Sequence, residues 1–112
     1  VFYRSVFDVV RDFLSGLLVA VDYVNADAAE AQVVVLDAIE EISGTRLPEV
    51  VIEAAWDNLE FTWDPIASSL AKSAEDATEA GLLDPVDLDG IYQLDILNEL
   101  LAERGDPEVS DS

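Results

Sequence analysis

The chain has no cysteine and no histidine. That excludes disulfides, thiolate nucleophiles, Cys/His zinc sites and every imidazole-based acid–base mechanism. The missing cysteine suits either side of a membrane and assigns no compartment. Basic residues are scarce: 5 stand against 25 acidic ones, for a formal net charge of −20. Lys72 is the single lysine. Such a balance repels phosphate backbones and anionic head groups, so nucleic acid and anionic lipid are excluded as partners. Long apolar runs are missing too. The longest, residues 17–21, falls far short of the roughly 20 residues that a bilayer-spanning helix needs. There is no glycine-rich phosphate loop, and none of Asn25, Asn58 and Asn98 opens a glycosylation sequon. No signal peptide is visible, and the opening Val1 reads as the start of a fragment or a processed product.

What is present is apolar and helical. Hydrophobic residues make up 51% of the 112 positions, too many for a disordered acidic tail. Dense carboxylates on such a chain read as a strongly solvated surface of the kind suited to a salt-rich setting. The pattern organises around Glu60-Phe61-Thr62-Trp63-Asp64-Pro65. Phe61, Thr62 and Trp63 favour extended backbone, while Asp64 and Pro65 suit an N-cap and a first helical position. Four segments divide the chain: a helical block over 1–60, an extended joint at 61–64, a second helical block over 65–105 and a flexible tail at 106–112.

Helical spacing places a first helix over about 6–24, with Val6, Val9, Val10, Phe13, Leu14, Leu17, Val21 and Val24 on its apolar side. Phe7 and Leu18 widen that sector until it needs more than one neighbour. Asp27 and Glu30 resemble a capping box, opening a helix over 28–43 that buries Ala31, Val34, Val35, Ala38, Ile39 and Ile42. Gly44 sits where a left-handed cap belongs. Val33 falls on the polar side, as a lone exposed valine. A third helix is predicted from Pro48 to about Leu59, with Val51, Ile52, Ala55, Trp56 and Leu59 inward. A fourth runs from Pro65 to about Ala80, with Ile66, Ala67, Leu70, Ala71, Ala74 and Ala77 on one face. A fifth runs from Ile91 to Arg104, with Leu94, Leu97, Leu100 and Leu101 inward, stopped by Gly105 and Pro107. No stretch alternates with period two, so the fold class is all-α with about five helices.

Few residues carry chemistry. Asp84, Asp87, Asp89 and Gly90 invite a calcium-loop reading, but aligning Gly90 at the sixth position puts Pro85 first and Ile96 twelfth, where carboxylates are required. A capped turn accounts for them. The pairs Glu40/Glu41, Glu75/Asp76 and Glu99/Glu103 fall on solvent-facing helix sides, where nothing pushes their pKa values apart. Ser68, Ser69 and Ser73 have no histidine to activate them, and Lys72 is too exposed to make a good base. No catalytic residue, metal ligand or cofactor is expected, and the chain is not read as an enzyme. Thr62 and Trp63 are the candidate ligand contacts, a hydroxyl and an indole donor set in apolar area. The competing account is that Phe61 and Trp63 fasten two helical blocks together.

Three stretches taken together resemble a known family. They are AVDYVNADAAEAQ at 20–32, SGTRLPEVVIEAAWDNLEFTWDPIASSLAKSAEDATEAGLL at 43–83, and DLDGIYQLDILNELLAERGDPEV at 87–109. In order and spacing they are similar to the C-terminal third of substrate-binding proteins of ABC importers, of the aliphatic-sulfonate, taurine and nitrate type. The segment Phe2-Tyr3-Arg4-Ser5 departs from the acidic helix start expected there. The resemblance implies a parent of roughly three hundred residues with a two-lobed α/β periplasmic-binding-protein fold. Such a parent is exported, periplasmic or lipid-anchored, and closes on a small anionic solute for an importer permease. The missing N-terminal part of the same protein would then be a partner of this chain, and would hold most of the ligand contacts. From the residues alone an alternative stays open, a self-sufficient acidic helical interaction or dimerisation module that uses its broad apolar sectors.

Overall fold

The computed structural model describes residues 5–112; residues 1–4, which open the first predicted block and include Phe2, Tyr3 and Arg4, lie outside the described residues. Among the described residues the protein is all-α: α1 (Val6–Ala26), α2 (Ala28–Ser43), α3 (Glu49–Trp56), α4 (Ala67–Glu79) and α5 (Asp95–Arg104), with no strand. No described helix is long and apolar enough to cross a membrane. By compactness the chain divides in two. One unit gathers residues up to Ser15 together with 64–112, and the other is residues 16–63, so that α1 contributes to both. The division between 63 and 64 falls inside the segment read as a joint.

Local chemistry explains where most helices begin and end. Ser5 caps α1: its carbonyl and its hydroxyl both accept from the Asp8 amide, at 3.1 and 3.2 Å, which satisfies one of the free first-turn donors. Gly44 ends α2 in the left-handed region at φ 75°, its amide donating to the Glu40 carbonyl, as its position in the sequence suggests. Gly81 and Gly105 do the same for α4 and α5. In each case the residue after the glycine donates five residues back, Leu82 to Ala77 at 2.9 Å and Asp106 to Leu101 at 2.9 Å.

Several predicted starts shift. Asp27 precedes α2 but makes no side-chain cap; its amide bonds the Tyr23 carbonyl at 2.9 Å and carries the turn of α1 onward. α3 is shorter than its pattern. Pro48 is extended at ψ 143° and only leads into it, and after Trp56 the amides of Asn58 and Leu59 tighten onto the carbonyls three residues back. α4 does not start on Pro65. Asp64 spends its Oδ1 on the Ile66 amide at 2.7 Å, and Ile66 turns left-handed at φ 53° before the helix begins. α5 begins at Asp95 rather than Ile91; the Ile91 amide closes a turn onto the Leu88 carbonyl at 3.1 Å, and Tyr92 lies between that turn and the helix.

Each unit has its own small buried set: Leu18 and Leu36, wholly buried, with Val21, Ala31 and Ile52 in residues 16–63, and wholly buried Leu101 with Ala67, Leu97, Leu100 and Val109 in the other unit. Each large member is worth about 1.5–3 kcal/mol of burial. α5 keeps its predicted Leu97, Leu100 and Leu101 inside. On α1 and α2 the buried part of the apolar sector is narrower than expected: Val21 and Ala31 are inside as predicted, together with Leu18 and Leu36, while Val6, Val9, Val10, Phe13, Leu17, Val34, Ala38 and Ile42 are exposed, Ile42 at 88%. Of the predicted face of the third helix Ile52 is buried, while Val51, Ala55 and Leu59 are exposed. The tail beyond Gly105 has an anchored residue. Asn98 bridges Val109 twice, donating from Nδ2 to its carbonyl at 3.0 Å and accepting its amide at 2.7 Å.

Candidate functional site

The residues singled out in the sequence lie in the segment after α3. Thr62 is exposed and Trp63 is half-buried, and both are engaged with other residues. Phe61 beside them has a fastening role. Its ring meets Trp56 at 4.7 Å between centroids and a 43° tilt, within the favourable range for aromatic pairs. Its carbonyl accepts from Asn25 Nδ2 at 3.0 Å. Phe61 therefore ties the segment back to α1 and α3 inside residues 16–63. Trp56, expected as a core anchor, is half-buried and reaches this role through the ring pair.

The same unit holds a second feature. α2 and α3 pack together, and a cleft of about 210 Å³ between them is lined by Ala29, Gln32, Val33, Leu36, Glu49, Ile52 and Glu53. Val33, out of phase with its own helix, forms part of that apolar wall. Near the end of α2, Arg46 answers two carboxylates, Asp37 at 2.7 Å and Glu40 at 2.9 Å. Hydrogen bonds to those two groups hold its guanidinium pKa above the ordinary value. Tyr23 is half-buried, and its phenol is pushed up first by that partial burial and then by the charges of Glu30 and Asp27.

In the other unit, α4 and the loop after it form a cleft of about 430 Å³. Glu75, Glu79, Asp87 and Asp89 line it together with Ala71, Ala74, Pro85, Val86 and Leu88. Two of the small residues of α4, Ala71 and Ala74, line this cleft, and no other helix packs against α4 among the described residues, so the close helix neighbour expected from their size is not found. Asp87 Oδ1 accepts the Asp89 amide at 2.9 Å and Gly90 turns left-handed at φ 74°, which makes this segment a capped turn. Among the described residues no group of three or more carboxylates is placed to hold a metal ion. Lys72 pairs with Asp76 one turn along α4. The strongest ion cluster joins α1 to α5. Arg11 donates to both oxygens of Glu103, at 2.6 and 2.7 Å, and approaches Glu99 at 3.4 Å. The hydrogen bonds to Glu103 raise the Arg11 pKa, with the charges of Glu103, Glu99 and Asp8 adding to the effect.

No family model matches the chain, no curated protein matches it, and no solved structure matches it. Function has to be argued from the residues themselves.

The capping serine of α1, the Arg11 cluster and the Asn98 bridge were not singled out in the sequence. Ser5 and Asp8, three residues apart ahead of an apolar run, carry a helix-start signal. Arg11 lies 92 residues from Glu103. No local pattern announces that pairing.

Proposed function

We propose that the chain is the helical C-terminal part of an extracytoplasmic solute-binding protein. The protein would deliver a small anionic solute, of the sulfonate, taurine or nitrate kind, to an ABC importer, and would catalyse nothing itself. The observation that carries this is the ordered set of three stretches at 20–32, 43–83 and 87–109, which together span most of the chain. The surface lends support. Val34 and Ile42 on α2, Val50 and Val51 on α3, and Leu59 beyond it are large apolar side chains left exposed. Earlier residues of the same polypeptide would cover them. The scarcity of chemistry also agrees with binding rather than catalysis, since the chain has neither histidine nor cysteine.

On this proposal Thr62 and Trp63 are the solute contacts offered by this part, and the permease is the downstream partner. The protein works outside the cytoplasm, in the periplasm or lipid-anchored at the cell surface. Isothermal titration of the complete protein with taurine, an alkanesulfonate and nitrate tests it. Saturable binding of one of these, weakened by Trp63→Ala with thermal stability unchanged, is the expected result. An open reading frame that starts with its own initiator near Val1, or no binding of any of the three, would sink it.

A second reading is favoured by one observation, the exposed apolar stripe on α1. The chain would then be a self-sufficient acidic interaction or dimerisation module. Sedimentation at several concentrations separates the two: self-association of the 112-residue chain favours the module.

A further inference from the structure

The groove between α2 and α3 has an apolar floor and one acidic rim. Buried Leu36 and Ile52 close it from below, and Ala29 and Val33 line the α2 side. Val33 is 47% exposed there, although the two helices pack against each other. On the α3 side stand Glu49 and Glu53, one helical turn apart and both exposed. At about 210 Å³ the groove is smaller than the roughly 300–1,000 Å³ of small-molecule pockets. It suits one side chain of a larger partner, and its two carboxylates repel an anionic solute.

Both carboxylates are uncommitted. Among the described residues neither Glu49 nor Glu53 has an ion pair or a side-chain hydrogen bond. Arg46, three residues before Glu49, is spent on Asp37 and Glu40 instead. Like charges one turn apart repel along the helix that carries them. The short α3 therefore bears an acidic pair that nothing described neutralises, set against an apolar trough. A long basic side chain fits that combination, with apolar wall for its methylene stem and carboxylates at its head.

We propose that the α2–α3 groove docks a basic segment of a partner protein through one lysine or arginine side chain. The stem of that side chain lies along Val33 and the floor, and its charged head ends at Glu49 and Glu53. Charge selects this occupant over a second copy of the chain. A second copy has no described cation to offer, since Arg11, Arg46, Lys72 and Arg104 are each ion-paired already. The inference goes beyond both functional readings above and depends on neither.

The probe is a short labelled peptide of alternating alanine and lysine, titrated against the full chain by fluorescence anisotropy. Amide shifts of the isotope-labelled chain are followed by NMR in the same titration. The expected result is saturable binding, with the largest shifts in residues 29–36 and 49–53. Glu49→Gln with Glu53→Gln weakens binding about fivefold. Glu75→Gln with Glu79→Gln removes the same charge at the same spacing on α4, and weakens it less than about twofold. Val33→Ser weakens it about threefold, and acetylating the peptide's lysines, which keeps the stems and removes the charge, abolishes it. All five substituted positions are exposed, so melting temperatures of the variants should not fall. Equal weakening by the two glutamine pairs, or shifts spread over every acidic helix, overturns the proposal, because the attraction is then to diffuse charge. So does a free alkylamine that binds as tightly as the peptide, since the groove then takes a small cation and not a partner's segment.

Discussion

Ile66 stands at φ 53° and ψ 64°, the one non-glycine residue with positive φ among those described. A left-handed backbone costs an L-residue about 1–2 kcal/mol, and β-branching makes it worse. The Asp64 carboxylate holds the Ile66 amide in place and so helps to keep the turn. Glycine normally destabilises a helix interior relative to alanine. Here the order should invert: Ile66→Gly is expected to be more stable than Ile66→Ala by about 1 kcal/mol, read from urea midpoints at constant slope. Equal stabilities would mean that position 66 relaxes into the right-handed region and α4 starts earlier. Tyr23 supports a second residue-level prediction. Its folded pKa is raised above the ordinary 10.0, so above pH 10 the unfolded chain gives up this proton more readily than the folded one. The stability Tyr23 contributes is therefore present below pH 10 and lost as pH rises through the raised folded value. Tyr23→Phe should flatten the stability profile on the alkaline side, read from urea midpoints across that pH range.

Helices differ in how far their sequences reveal them. α2 could be bounded to the residue because Gly44 and the break at Asp27 mark its ends, and α5 could be given its inward leucines because Asp95, Asn98, Glu99 and Glu103 occupy most of its other sides. The start of α4 could not, because Asp64-Pro65 is a sound helix opening that the chain uses for a turn instead. The arcs of α1 and α2 were misjudged for a related reason. When nearly half a helix is apolar, spacing alone does not say which part of that sector meets the core. Leu18 and Leu36 lie at the edges of their sectors, yet they are the parts wholly buried. Thr62 and Trp63 were legible only as residue types, and what surrounds them depends on contacts distant in sequence, as the tie from Phe61 to Asn25 illustrates. A paired substitution on α2 checks the observed arc. Leu36→Ala, next to Ile52 at the α2–α3 cleft, is expected to cost about 2–5 kcal/mol. Ile42→Ala on the same helix should change stability by no more than about 0.5 kcal/mol. If the two costs come out alike, the burial assigned to α2 is wrong.

At the scale of the whole molecule, charge dominates. Arg11, Arg46, Lys72 and Arg104 are all ion-paired, so the described basic residues are already committed and most of the 25 carboxylates face a surface of their own sign. Pairs as exposed as these contribute little individually. The larger effect is the mutual repulsion of a chain at −20, which opposes the compact state and is relieved by screening. Monovalent salt should therefore raise the melting temperature smoothly from low concentration to the molar range. Calcium distinguishes screening from a built site. A site saturates and stabilises by RT ln(1 + [L]/Kd), so calcium raised into the millimolar range would shift the melting temperature in a saturable way if carboxylates were arranged to chelate it. The acidic loop at 84–90 spends Asp87 on the Asp89 amide, and no described group of three carboxylates converges. Melting curves in molar sodium chloride, with and without millimolar calcium, should therefore superimpose. A saturable rise with calcium would show that the carboxylates form a cation site, and the acidic surface would then need a specific role in place of a diffuse one.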